Sequence, residues 1–217
     1  MAGRLLLRGM LAGVLAACLA TGFAAIFGEP QVSLAIAFEH AMDEAGGTAP
    51  EPEIVSRAVQ RSIGLLTAVL MYGAAYGGLF ALVFAAAYGR VGDFAPRTLA
   101  ALLAGAGFLA VVLVPDLKYP PSPPSVGSAD TIALRTAAYF EMIVISLAAS
   151  TLAVLAGRRF ADRLGAWNAS LAGIALFIVV VAIAQFTLPD VDEMPAQFPA
   201  VVLWRFRVAA LGMQLVL

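Results

Sequence analysis

Residues 62–89 read SIGLLTAVLMYGAAYGGLFALVFAAAYG, 28 consecutive uncharged residues held between Arg61 and Arg90. A helix rises about 1.5 Å per residue, so about 20 mostly apolar residues cross the hydrocarbon core of a bilayer. The stretch therefore predicts a transmembrane helix. Further gaps of this kind lie on either side: 20 uncharged residues between Arg8 and Glu29, 18 between Arg97 and Asp116, and 26 between Arg163 and Asp190. The block 132–157 is interrupted only by Arg135 and Glu141. After Arg207 only 10 residues follow. The last apolar segment thus either begins near Ala200, with two arginines at its outer end, or stops short of a full crossing.

Composition agrees with this reading. The 217 residues are 62% apolar and 12% charged, against about 45–50% and about 25% in soluble domains. Every backbone group inside a bilayer must be hydrogen-bonded internally, and no period-2 alternation supports a barrel, so the spans are expected to be helices. The expectation is an all-α, polytopic helical bundle forming a single transmembrane domain over 1–217. It has five to six helices at about 6–27, 63–88, 98–115, 132–156, 165–188 and 200–217, joined on the outside by loops 28–62, 116–131 and 189–199. The first block, though preceded by Arg4 and Arg8, reads as a retained span, being long for a signal peptide. Gly9 with Gly13 and Gly73 with Gly77 place small residues four apart, a spacing that permits close helix approach.

With the N-terminus cytoplasmic, the inner segments hold Arg4, Arg8, Arg90, Arg97, Arg158, Arg159 and Arg163 against Asp93 and Asp162, as the positive-inside rule requires. The outer segments then collect most of the carboxylates. A net charge of −1 gives no general basic surface for nucleic acid. Cys18 is the only cysteine, which excludes an intrachain disulfide and a cysteine metal cluster; it reads as a buried thiol. Absent too are a phosphate-binding Gly-rich loop with Lys-Ser/Thr, a His-Glu-x-x-His pair and a Gly-x-Ser-x-Gly elbow. An enzyme is not expected.

Several residues carry possible chemistry. Glu141 lies about nine residues, roughly 14 Å, below the outer end of its span, and an ionisable group at that depth is a functional candidate by default. Arg205 or Arg207 could serve it as a structural ion-pair partner; Arg135, six residues away, sits on a different helix face. These four residues form the candidate transport path. His40 beside Glu39, one turn before Asp43 and Glu44, could present imidazole and carboxylates to a borderline divalent ion. Asp190, Asp192 and Glu193 form a second carboxylate cluster suited to attracting cations. The segment from Pro115 to Gly127 has five prolines in its first ten residues, favouring a stiff extended outer cap. Lys118, Tyr119, Pro120, Pro121, Pro123, Pro124 and the following Asp130 mark it. No permanently bound cofactor is implied. The residues leave open a cation permease subunit and a non-transporting membrane scaffold within a homo- or hetero-oligomer.

Four segments carry a family resemblance that runs along almost the whole chain: VSRAVQR (55–61), LKYPPSPPSVG (117–127), DTIALRT (130–136) and FPAVVLWRFR (198–207). With these the chain resembles the CbtA family of predicted bacterial cobalt transporter subunits. The resemblance implies a multi-pass inner-membrane protein serving cobalt supply for cobalamin synthesis. It also implies cobalt or nickel as the carried ion, and a small histidine-bearing partner subunit of the CbtB type. Two departures stand out: the first outer loop keeps only His40 where some members carry histidine-rich stretches, and the last span is short.

The arginine asymmetry yields a topological expectation. In a Cys18→Ser background, a cysteine replacing Pro195 should react with an impermeant maleimide on intact cells and one replacing Asp162 should not. The reverse labelling pattern would invert the orientation.

Overall fold

The computed structural model describes residues 2–47, 54–124, 126–127, 129–191 and 194–217. Among the described residues all regular structure is helical. Four helical runs are long and apolar enough to cross a membrane. They are α1 (Gly3–Gly46), α2 (Arg57–Ala87), α3 (Pro96–Lys118) and the run Ile132–Thr187. Gly165, at φ 77° and ψ 155°, breaks the last of these into α4 (132–164) and α5 (166–187). A Cβ disfavours that conformation and glycine has none, so the chain reverses there without a loop. α6 (Ala200–Val216) follows; its 17 residues reach about 25 Å, slightly short of a full hydrocarbon crossing.

Among the described residues three helices contain a π turn, at Ala24–Gly28 in α1, Gln60–Gly64 in α2 and Phe108–Leu113 in α3. In α2 and α3 it lies near the end of the helix that the arginine pattern assigns to the outside, and in α1 it lies midway along the helix. The turn in α1 explains a difference from the sequence reading, which starts an outer loop at residue 28. Pro30 has no N–H to donate, but it falls in the first turn after the π segment, where the helical register is already reset. The helix runs on to Gly46, so that His40, placed by the sequence in the outer loop 28–62, lies on its last turns. The expected inner loop before 165 is likewise helical, as the end of α4.

The chain divides into two compact units. The first comprises Met1–Ala104, Ser122–Gly127 and Met194–Leu217; the second comprises Gly105–Pro121 and Ser128–Glu193. In the first, α1 and α2 pack antiparallel through glycine. A Cβ added at Gly13 would lie 1.9 Å from the Gly73 carbonyl oxygen, and one at Gly77 would lie 2.1 Å from that of Gly9. One turn further, Ala17, Ala20 and Val69 are buried together, with Leu65, Leu70 and Met213 against them. Cys18 therefore does not pack as expected. Ala17 and Ala20 take the inward positions, and the thiol is left on the exposed face. Along α1, Ala35 meets Val126 of the proline-rich segment and Phe198 before α6; Phe38 and Phe198 stack edge to face.

In the second unit α4 and α5 form an antiparallel hairpin. A Cβ on Gly173 would stand 2.6 Å from the Ala153 carbonyl oxygen. Val114, Tyr119, Ala138, Met142 and Ala184 make its buried core.

Gly13→Leu should destabilise the detergent-solubilised protein by about 1–3 kcal/mol, as is typical of overpacking, and so lower its thermal midpoint. Gly22→Leu, where an added Cβ meets nothing within 4 Å, should leave it unchanged. Equal midpoints for the two variants would contradict the close contact.

Candidate functional site

Polar groups inside the second unit gather where α3 departs from regular helix. A π segment shifts carbonyls out of the i→i+4 register, and neighbouring helices answer one carbonyl within it and another just after it. Buried Ser146 on α4 donates its hydroxyl to the Ala110 carbonyl. Gln185 Nε2 on α5 donates to that of Val114 at 3.1 Å. Side-chain bonds of this kind join helices that the hydrophobic effect alone would not hold together in lipid.

Towards the end of α3, Tyr139 donates its hydroxyl to Asp116 Oδ1 at 3.3 Å. Just beyond, the Lys118 ammonium pairs with exposed Asp190, while most of the lysine stem is covered. Tyr119, only 4% exposed, donates its hydroxyl to the Pro189 carbonyl at 2.7 Å. These contacts join the end of α3 to the segment after α5, 70 and more residues away in sequence. Burial pushes the Tyr119 phenol above its ordinary value; Lys118 opposes the shift, and Asp190 and Glu141 add to it.

Glu141 stands on α4 beside buried Met142, at the flank of the packed face, and is itself exposed. Its charge acts on Tyr119. Among the described residues it makes no hydrogen bond and no ion pair. The helix begins at Ile132, so this carboxylate lies about 14 Å along it, within an otherwise apolar surface that includes Phe140 and Val144.

The other residues singled out in the sequence are dispersed. Arg135, on the first turn of α4, is half-buried and engaged. Arg205 is exposed, and Arg207 is half-buried and engaged; both belong to the first unit, whereas Glu141 belongs to the second. On the last turns of α1, His40 and Glu44 are exposed, and Glu39 and Asp43 are half-buried. No three His, Cys, Asp or Glu side chains among the described residues are grouped to hold a metal ion. Asp192 and Glu193 lie outside the described residues. In the proline-rich segment Pro120 and Pro121 are half-buried, Pro123 is buried and Pro124 is exposed. Asp130 is exposed in a single helical turn, Ala129–Thr131.

The sequence reading passed over Asp116, Tyr139, Ser146 and Gln185 as site residues. Polar side chains within apolar spans were the available signal. Nor did it single out Glu29 and Arg57, both within the expected outer loop 28–62. In the first unit they form an ion pair of 2.5 Å, joining the start of α2 to the residue just after the π turn of α1.

The family model for CbtA, described as a probable cobalt transporter subunit, matches residues 2–217. The chain belongs to the CbtA family. No curated protein and no solved structure matches it. CbtA is a family of transporter subunits, not of enzymes, and the membrane-length apolar helices fit that description.

Tyr119→Phe removes the bond to Pro189 and should destabilise the protein by about 1 kcal/mol. The buried phenol holds its proton more tightly than a tyrosine of the unfolded chain. Its contribution is therefore complete below about pH 10 and is lost as pH rises through the folded-state value. The stability gap between parent and variant, followed by thermal unfolding in detergent, should narrow at alkaline pH. A gap that widens there would contradict the assignment.

Proposed function

We propose that the chain is the membrane subunit of a divalent transition-metal uptake permease of the bacterial inner membrane, with cobalt, or alternatively nickel, as its substrate. Glu141 is the observation that carries this reading beyond the family description. A carboxylate in the apolar zone costs several kcal/mol unless it has a partner or water, and the described residues offer it none. A cation moving inward supplies such a partner transiently. Binding of that kind is weak enough to release the ion, as conduction requires. Asp116 and Tyr139, on neighbouring helices of the same unit, provide oxygen donors suited to a partly hydrated divalent ion. The acidic outer segments concentrate cations at the mouth. The single histidine, His40, fits a division of labour in which a small histidine-bearing subunit captures the metal and this chain passes it on.

Expression in an uptake-deficient host should raise radiolabelled cobalt accumulation at low external metal, alone or with the histidine-bearing subunit coexpressed. Glu141→Gln should insert and purify like the parent yet lose uptake. Background accumulation even with the partner present would favour the scaffold reading. A stable Glu141→Gln protein that accumulates cobalt normally would remove the carboxylate from the path.

A further inference from the structure

Beside the reversal at Gly165 stand two arginines whose charge is met by no partner among the described residues. α4 runs for 33 residues, about 50 Å, whereas crossing the hydrocarbon takes about 20. Its last turns, 157–164, therefore extend roughly 12 Å past the apolar stretch, into the headgroup layer. They carry Arg158, Arg159 and Arg163 against one carboxylate, Asp162. Arg158 is engaged. Arg159 and Arg163, one helical turn apart, are both exposed, and neither has an ion pair or hydrogen bond among the described residues. Like charges at this spacing repel unless an anion lies between them.

The surroundings identify the anion's source. Phe160 is 42% exposed, Leu164 47% and Trp167 75%, so large apolar side chains stand open beside the guanidinium groups. Bulk water disfavours that combination, while the boundary between headgroups and acyl chains favours it. The turn is also held in shape, because Asn168 Nδ2 donates back to the Leu164 carbonyl at 3.1 Å. We propose that this turn binds an anionic phospholipid. Arg159 and Arg163 take the phosphate through paired guanidinium bonds, and Phe160, Leu164 and Trp167 cover the upper acyl chain.

Trp167 reports on the site directly. It and Trp204 are the two tryptophans, so Trp204→Phe leaves a single probe. The full chain is reconstituted into phosphatidylcholine vesicles that contain a minor fraction of either phosphatidylglycerol or phosphatidylcholine brominated near the headgroup. Brominated phosphatidylglycerol should quench Trp167 at a mole fraction lower by a factor on the order of ten. Arg159→Gln with Arg163→Gln should abolish that preference, and Arg159→Lys with Arg163→Lys should keep part of it. Unbrominated emission and monodisperse elution show that each variant is folded. Equal quenching by the two lipids in the parent, or an undiminished preference in the double Gln variant, would overturn the site. Relief of quenching by millimolar inorganic phosphate would also overturn it, by identifying a free anion in place of the lipid.

Discussion

Gly9 and Gly13 on α1 meet Gly73 and Gly77 on α2 so closely that no Cβ fits at any of the four positions. In lipid the hydrophobic effect gives helices no reason to associate, and packing and polar contacts must do so instead. Backbone against backbone is the densest contact available. The rest of the first unit is arranged around this seam: α6 packs along α1, and the cluster of Ala35, Val126 and Phe198 closes beyond it. The second unit repeats the device once, where Gly173 meets the Ala153 carbonyl, and adds to it the side-chain bonds from Ser146 and Gln185.

Those side-chain bonds connect fold to chemistry. The π turn and Pro115 disturb α3 where polar donors from α4 and α5 can reach it. The same part of the unit then holds Asp116, Tyr139, Tyr119 and the Lys118–Asp190 pair. Departures from regular helix are tolerated in a membrane only where protein or water satisfies the freed backbone groups. Here protein groups answer the Ala110 and Val114 carbonyls.

Much of this was legible in the sequence because charge is so expensive in lipid. The uncharged gaps marked the helices, and the spacing of the glycines announced close contact, though not which helix would meet which. What remained hidden depended on partners distant along the chain. Lys118 and Asp190 are 72 residues apart, and no periodicity relates them. Nor did Glu29-Pro30 reveal that α1 continues, because a π turn resets the register just before the proline. At 165 the reversal hung on one glycine at positive φ, where length alone suggested a loop. The residues read around His40 were neighbours in sequence, but proximity along a helix does not make side chains converge, and among the described residues they form no metal-holding group.

The proposed function requires Glu141 to face an aqueous cation path and not the lipid, and chemical accessibility tests this most directly. In a Cys18→Ser background, Glu141→Cys should be modified by a small, charged, membrane-impermeant thiosulfonate added from outside, and cobalt should slow the reaction. Leu147→Cys, exposed on a different face of the same helix, should react slowly and without regard to metal. If the thiol at 141 reacts no faster than the one at 147, the carboxylate faces lipid or another helix, and the path does not run past it.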